Sequence, residues 1–192
     1  IRGNKDGQLF NEPLDVAVDS SGNIFISDYR NFRISKIDAG DNLVQTTGSA
    51  NASDINYYFG SFAPDGLAID KNNNIYAGDS YQNHRIQIYD SSGKYVATIG
   101  ELGKMGSDNY HFYRPGDIAF DGNENIFIID AGNHRVQVYD RNRTYIDTAG
   151  VTGIAGNTND KFNTPVSIAV NPVNGKIYIS DTFNHRIQIF TR

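Results

Sequence analysis

Residues Asp121 to Asp140 read DGNENIFIIDAGNHRVQVYD, and three further copies of this stretch follow the same spacing along the chain. The aspartate that closes its apolar run recurs at Asp28, Asp79, Asp130 and Asp181, at a constant interval of 51 residues. The basic residue after the next turn recurs at Arg33, Arg85, Arg135 and Arg186, and a proline opens each unit at Pro13, Pro64, Pro115 and Pro165. Self-similarity at a fixed period of this length marks a solenoid or a propeller, in which each unit needs a neighbour to cover its apolar face.

Within one unit, PGDIAFD (residues 115–121) alternates apolar and small residues and ends in the Gly/Asn-rich DGNEN, which reads as a strand and a hairpin turn. Ile126 to Ile129 are apolar at consecutive positions, as a strand covered on both faces requires. After Asp130 comes a second turn, then HRVQVYD as an alternating third strand and YIDTAG as a weaker fourth. Four short antiparallel strands with two apolar faces describe a propeller blade, so the chain is expected to be all-β.

NHRVQVYD at Asn133, NHRIQIYD at Asn83 and NHRIQIF at Asn184, each preceded by an aspartate and an Ile-Ala strand, resemble the NHL-repeat family of β-propellers over essentially the whole chain. The resemblance implies one domain over residues 1–192, with repeats at about 11–48, 62–100, 113–150 and 163–192. Those units either close as a four-bladed ring or belong to a larger propeller, six blades being what the resemblance implies. It implies less about function, because such propellers serve as protein-binding scaffolds, RNA readers, sensor domains and a few metal-dependent lyases. Unit one departs from the motif, with Phe32 in place of His and RISKI in place of RIQIY; unit two carries one extra residue before Asn83.

Composition narrows these classes. The 192 residues include 39% hydrophobic and 12% aromatic side chains, enough for a real core, and carry a formal charge of −5. An acidic chain is poorly matched to polyphosphate. There is no cysteine, which excludes a disulfide framework, a thiolate metal site and a cysteine nucleophile. No signal-peptide pattern is present, and no apolar run approaches the roughly 20 residues of a membrane-spanning helix. Because the chain opens at Ile1, the sequence is expected to be processed or excised.

His84, His134 and His185 invite a zinc reading, but repeat-equivalent residues are spread around a ring and cannot converge on one ion, so they are read as structural. The Asp/Arg pairs across each second turn are read as repeated polar clasps. Function is then sought where the units differ, in the loops 48–66, 100–117 and 150–167. These supply Tyr57, Tyr58, Phe59 and Phe62, then Tyr110, His111, Phe112 and Tyr113, then Phe162, with Tyr29, Tyr81 and Phe183 from the turns. Such rings form an aromatic recognition face unless they act as loop anchors. His111 alone lies off the repeat register, between Lys104 and Arg114, where it suits a ligand, an acid/base step or a loop hydrogen bond.

The expectation is a non-enzymatic scaffold binding a protein, peptide or glycan through Tyr57, Tyr58, Phe59, Lys104, Tyr110, His111, Phe112, Tyr113 and Arg114. The alternatives are a metal-dependent lyase or hydrolase and an RNA reader. The long loops are acidic on balance, which weighs against RNA. No nucleophile elbow or His-Glu-x-x-His is present. No cofactor is expected beyond a calcium near Asp15 and Asp117, whose equivalents Gly66 and Ser167 rule out a full carboxylate ring. Four open blades would leave two apolar faces bare, at a cost of about 15 to 30 kcal/mol for roughly five large side chains each. Closure by Ile1 to Gly3, further blades or another subunit is therefore expected.

Overall fold

The computed structural model describes residues 10–60 and 63–191. Blade one is built from β1 (Pro13–Val18), β2 (Ile24–Asp28), β3 (Arg33–Ile37) and β4 (Leu43–Thr47). Blade two holds β5 (Leu67–Ile69), β6 (Ile75–Asp79), β7 (Arg85–Tyr89) and β8 (Tyr95–Gly100). Blade three holds β9 (Pro115–Phe120), β10 (Ile126–Asp130), β11 (Arg135–Tyr139) and β12 (Tyr145–Ala149), and blade four β13 (Pro165–Val170), β14 (Ile177–Asp181) and β15 (Arg186–Phe190). Every sheet is an antiparallel meander in chain order, so these are four blades of a β-propeller, the last with three strands among the described residues. Ile1, Arg2 and Gly3, expected to complete that blade, lie outside the described residues.

Local chemistry explains the turns. In the first hairpin of blade three the Asp121 carboxylate accepts the N–H groups of Asn123 and Asn125 at 2.8 and 2.9 Å, an Asx arrangement that Asp19 and Asp70 repeat. The second turn is one 3-10 turn in blades one, three and four, and it ends on a left-handed residue: Phe32, His134 or His185, at φ of 56°, 56° and 52°. Blade two reaches the same left-handed position at His84 through a bend, because its extra residue replaces the 3-10 turn. The Asp and Arg that flank this turn face each other across the ladder in every blade.

The core is a stack of inter-blade layers. Phe25 and Ile34 of blade one pack on Leu67, Ile75, Ala77 and Tyr89 of blade two. Tyr76, Ile86 and Ile88 on the far side of blade two pack on Ile118, Ile126, Ile128 and Tyr139 of blade three. Phe127, Ile129, Val136 and Val138 meet Ile168, Ile177 and Ile179 of blade four in the same way. The first strands β1, β5, β9 and β13 touch from blade to blade and so form the axial edge. There the Asp15 carboxylate accepts the Leu67 N–H at 2.7 Å, and the Asp117 carboxylate accepts the Ile168 N–H at 2.8 Å and the Ser167 hydroxyl at 2.7 Å. Gly66 stands at the intervening junction because a Cβ there would lie 2.6 Å from the Asp117 Cα.

Among the described residues, the outward faces of the first and last blades are more exposed than their equivalents inside the stack. Val16 on the leading face of blade one is 59% exposed, whereas its equivalents Leu67, Ile118 and Ile168 are 5%, 3% and 5% exposed. Ile187 on the trailing face of blade four is 60% exposed, against 2%, 0% and 1% for Ile34, Ile86 and Val136.

Candidate functional site

Each long loop is held from below by one buried ion pair. In blade three the Asp130 carboxylate accepts the Tyr113 N–H at 2.7 Å, the Asn133 amide at 2.8 Å and the Arg135 Nε–H at 2.7 Å. The other end of Arg135 donates to the carbonyls of Ser107, Asp108 and His111. Asp79 with Asn83 and Arg85, and Asp181 with Asn184 and Arg186, hold the preceding loops in the same way. Burial pushes the Asp79 and Asp130 carboxyls above their ordinary range, and the facing arginine opposes that shift. These clasps therefore position loops, and their hydrogen bonds are all taken up by the fold.

Phe59, Phe112 and Phe162 occupy one repeated place, fully buried under their loops with rings 6.1, 6.1 and 5.8 Å from Tyr89, Tyr139 and Phe190. Phe59 and Phe112 were expected to be contact residues; the structure places both as loop anchors instead. The glycine closing each fourth strand makes room for them: at Gly48, where φ is +92°, a Cβ would sit 2.2 Å from the Phe59 ring. Phe62 lies outside the described residues.

The other predicted residues separate into two groups. Tyr57 and Tyr58 are half-buried; the Tyr57 hydroxyl accepts the Tyr95 N–H at 3.1 Å and its ring lies 5.9 Å from that of Tyr89. His111 bonds Asp108 through Nδ1 at 2.8 Å and approaches Glu101, which also pairs with Lys104 at 3.0 Å, so the histidine is tied into its own loop. Tyr110 is exposed on the same loop. Tyr113 and Arg114 are exposed as well, but they face the axis rather than the loop crown. The repeat histidines serve as inter-blade latches: His84 Nδ1 accepts the Arg114 N–H at 3.3 Å and His134 Nδ1 accepts the Thr164 N–H at 3.1 Å.

At the axis lies a cleft of about 760 Å³. The residue after each opening proline lines it, and these four differ: Leu14, Asp65, Gly116 and Val166. Tyr29, Tyr113 and Phe183 bring rings to it from different units, and the Arg114 guanidinium lies 5.0 Å from the Tyr81 ring centroid. Asp65 is its distinctive polar group and was not singled out from the sequence. One carboxylate oxygen accepts the Ser80 hydroxyl; the other is buried without a hydrogen-bond partner among the described residues. Burial drives the Asp65 pKa up to about 6, against the pull of Ser80 and Arg114. A carboxyl of this kind can exchange a proton near neutrality or pair with a basic group. Among the described residues, no three His, Asp or Glu side chains cluster in a way that could hold a metal ion.

This geometry agrees with comparison to known proteins. The NHL repeat profile matches residues 10–37, 63–89, 112–139 and 162–190. The chain belongs to the NHL-repeat family. No curated protein matches its sequence. Among solved structures, this NHL chain is similar to virginiamycin B lyase from Staphylococcus aureus, at 15% identity and a TM-score of 0.63 over 98% of this chain and 61% of that one. A protein of unknown function from Bacteroides thetaiotaomicron superposes with a TM-score of 0.73 at 16% identity, over 93% of this chain and 47% of the other. A streptogramin B lyase superposes with a TM-score of 0.59 at 13% identity, covering 94% and 69%. At such identities the likeness concerns the propeller fold, and the NHL chain spans about half to two thirds of the length of these proteins.

Proposed function

We propose that this NHL chain is a non-enzymatic binding module whose protein, peptide or glycan ligand seats at the mouth of the axial cleft. The observation that supports this most directly is the convergence of Tyr29, Tyr113 and Phe183 on one cleft beside Arg114, while Phe59, Phe112 and Phe162 are buried as loop anchors. Aromatic walls with few oriented polar groups are the usual chemistry of a recognition pocket. Tyr113→Ala and Arg114→Ala should each lower retention of hits from peptide and glycan arrays by about tenfold or more. Unchanged binding of every hit by both variants would sink the reading.

A second reading, lyase-type turnover, draws support from Asp65, whose raised pKa in a cleft fits an acid/base group. It predicts cleavage of streptogramin B, the substrate named for one structural neighbour, and loss of that cleavage in Asp65→Asn. Intact streptogramin B after prolonged incubation, followed by mass spectrometry, would remove it.

A further inference from the structure

Immediately before the opening prolines the chain repeats one backbone posture under different side chains. Glu12, Arg114 and Thr164 all take the left-handed conformation, at φ of 50°, 57° and 51°. Since glutamate, arginine and threonine serve the same backbone, the fold itself does not require a cation at Arg114. Around that residue the main chain is pinned from both inner blades. The Tyr113 N–H donates to Asp130 at 2.7 Å, the Tyr113 carbonyl accepts the Gly132 N–H at 2.8 Å, and the Arg114 N–H donates to His84 Nδ1 at 3.3 Å. The side chains of Tyr113 and Arg114 are thereby presented to the axial cleft on a fixed mount between blades two and three.

Arg114 is exposed, and its guanidinium, over the Tyr81 ring, has neither a hydrogen bond nor an ion pair among the described residues. The carboxylates that share the cleft are engaged elsewhere. Asp15 accepts the N–H groups of Val16 and Leu67, Asp117 accepts those of Ile118 and Ile168, and Asp65 accepts the Ser80 hydroxyl. An aromatic face orients a guanidinium while leaving its N–H edge free, and that edge matches a carboxylate. The rest of a ligand would meet rings rather than strand edges. Tyr29, Tyr113 and Phe183 line the cleft, whereas the N–H groups of Asp15, Asp65 and Ser167 are already bonded to Ser27, Gly78 and Ser180. A peptide added by strand pairing needs free backbone groups; a sugar ring can lay its C–H face on an aromatic wall and leave one charged substituent for the arginine.

We propose that the cleft takes an acidic glycan, with Arg114 gripping the carboxylate of a uronic-acid unit whose ring lies against Tyr113. This rests on the reading that ligands seat in the axial cleft, and it names their class. Tyr81 is a positioning residue, because it acts through the guanidinium. Asp65 feels the charge of Arg114 without pairing with it, so its own negative charge opposes a bound carboxylate and limits the affinity.

The test compares a trimer of galacturonic acid with the matching neutral galactose trimer, which differs only in carrying a hydroxymethyl group where the acid carries its carboxylate. Each is titrated into the 192-residue chain by calorimetry at low salt. The acidic trimer should bind about tenfold or more tightly than the neutral one, as one charge-assisted contact supplies. Arg114→Gln should abolish that preference while the β-type circular-dichroism spectrum stays unchanged, since the guanidinium bonds nothing in the fold. Arg114→Lys should keep only part of it, because a lysine cannot offer the planar fork. Asp65→Asn should tighten the acidic trimer at pH 7.5; weaker binding there would mean that the cleft reads a cation, and overturns the proposal. Equal affinity for the two trimers overturns it too, as does an acid preference that survives Arg114→Gln, or failure of both trimers to bind. In each of those cases, peptide or neutral-glycan hits that Tyr113→Ala still weakens would leave the axial-cleft reading standing without this one.

Discussion

Blades three and four carry nearly the same sequence motif, yet their buried carboxylates experience different surroundings. Asp130 and Asp181 are both sealed from solvent and each is bonded to the same three groups: a loop N–H, an asparagine amide and an arginine Nε–H. Burial raises the Asp130 pKa, whereas at Asp181 burial also pushes upward but is outweighed by hydrogen bonds from Asn163, Asn184, Arg186 and Gln188, and the pKa falls. Blade three has a blade on both sides; blade four has a bare trailing face. The same clasp is thus desolvated to different degrees according to how many blades enclose it, so a repeat residue does not have one energy.

The sharpest way to break this comparison is to remove the arginine from each clasp. Arg135→Ala leaves Asp130 buried without its counter-charge and should cost about 3 to 5 kcal/mol. Arg186 is 27% exposed, and Arg186→Ala should cost about half as much, because water can reach the remaining carboxylate. Urea unfolding of dilute, monomeric protein measures both; equal losses would mean that neighbouring blades do not set the clasp energy. The apolar counterpart pairs Ile88, fully buried, with its repeat equivalent Ile189, 57% exposed. Ile88→Ala should destabilise by about 2 to 5 kcal/mol, and Ile189→Ala by less than about 0.5. A large loss at Ile189 in the monomer would show that its face is covered.

Next in size is the axial carboxyl. The Asp65 pKa is near 6 in the folded chain and near 3.8 unfolded. Between those values the folded state holds the extra proton, so the stability this group permits is complete below about pH 4 and declines as pH rises towards 6. Asp65→Asn should be stabilising at pH 7.5, by up to about 2 to 3 kcal/mol, and near neutral at pH 3.5. Thermal melts at the two pH values check this, and an equal effect at both would refute the raised pKa. The smallest contrast is in the latches. His134→Ala should cost about 1 kcal/mol by freeing the Thr164 N–H, while His185→Ala should leave monomer stability within about 0.5 kcal/mol.

Much of this architecture was legible in the chain. The 51-residue interval of Asp28, Asp79, Asp130 and Asp181 reported the blades, because a blade cannot bury its faces alone and so the pattern must recur. The structural reading of the histidines followed from the same periodicity. The role of the loop phenylalanines was also present, as Phe112 and Phe162 each follow the strand-closing Gly100 and Gly150 by 12 residues, but their density suggested a surface patch instead. Asp65 is not legible in the same way, because its column of the repeat holds four different residues, Leu14, Asp65, Gly116 and Val166, and no periodic pattern assigns that column a role.

The amino-acid sequence by itself determined what local spacing can encode: strand order, turn chemistry, the Asp-Asn-Arg clasp and the identity of the faces that must meet. Tertiary structure alone decided which aromatic rings are loop anchors and which line the cleft, since Phe112 and Tyr113 are adjacent in the chain but point to different environments. It also decided that Asp65, Arg114 and Phe183 share one cleft, and that Val16 and Ile187 are bare where their equivalents are buried. The physical reason is that hydrogen bonding and side-chain alternation act over a few residues, whereas desolvation depends on every blade packed around a group, and that count is a property of the assembled array.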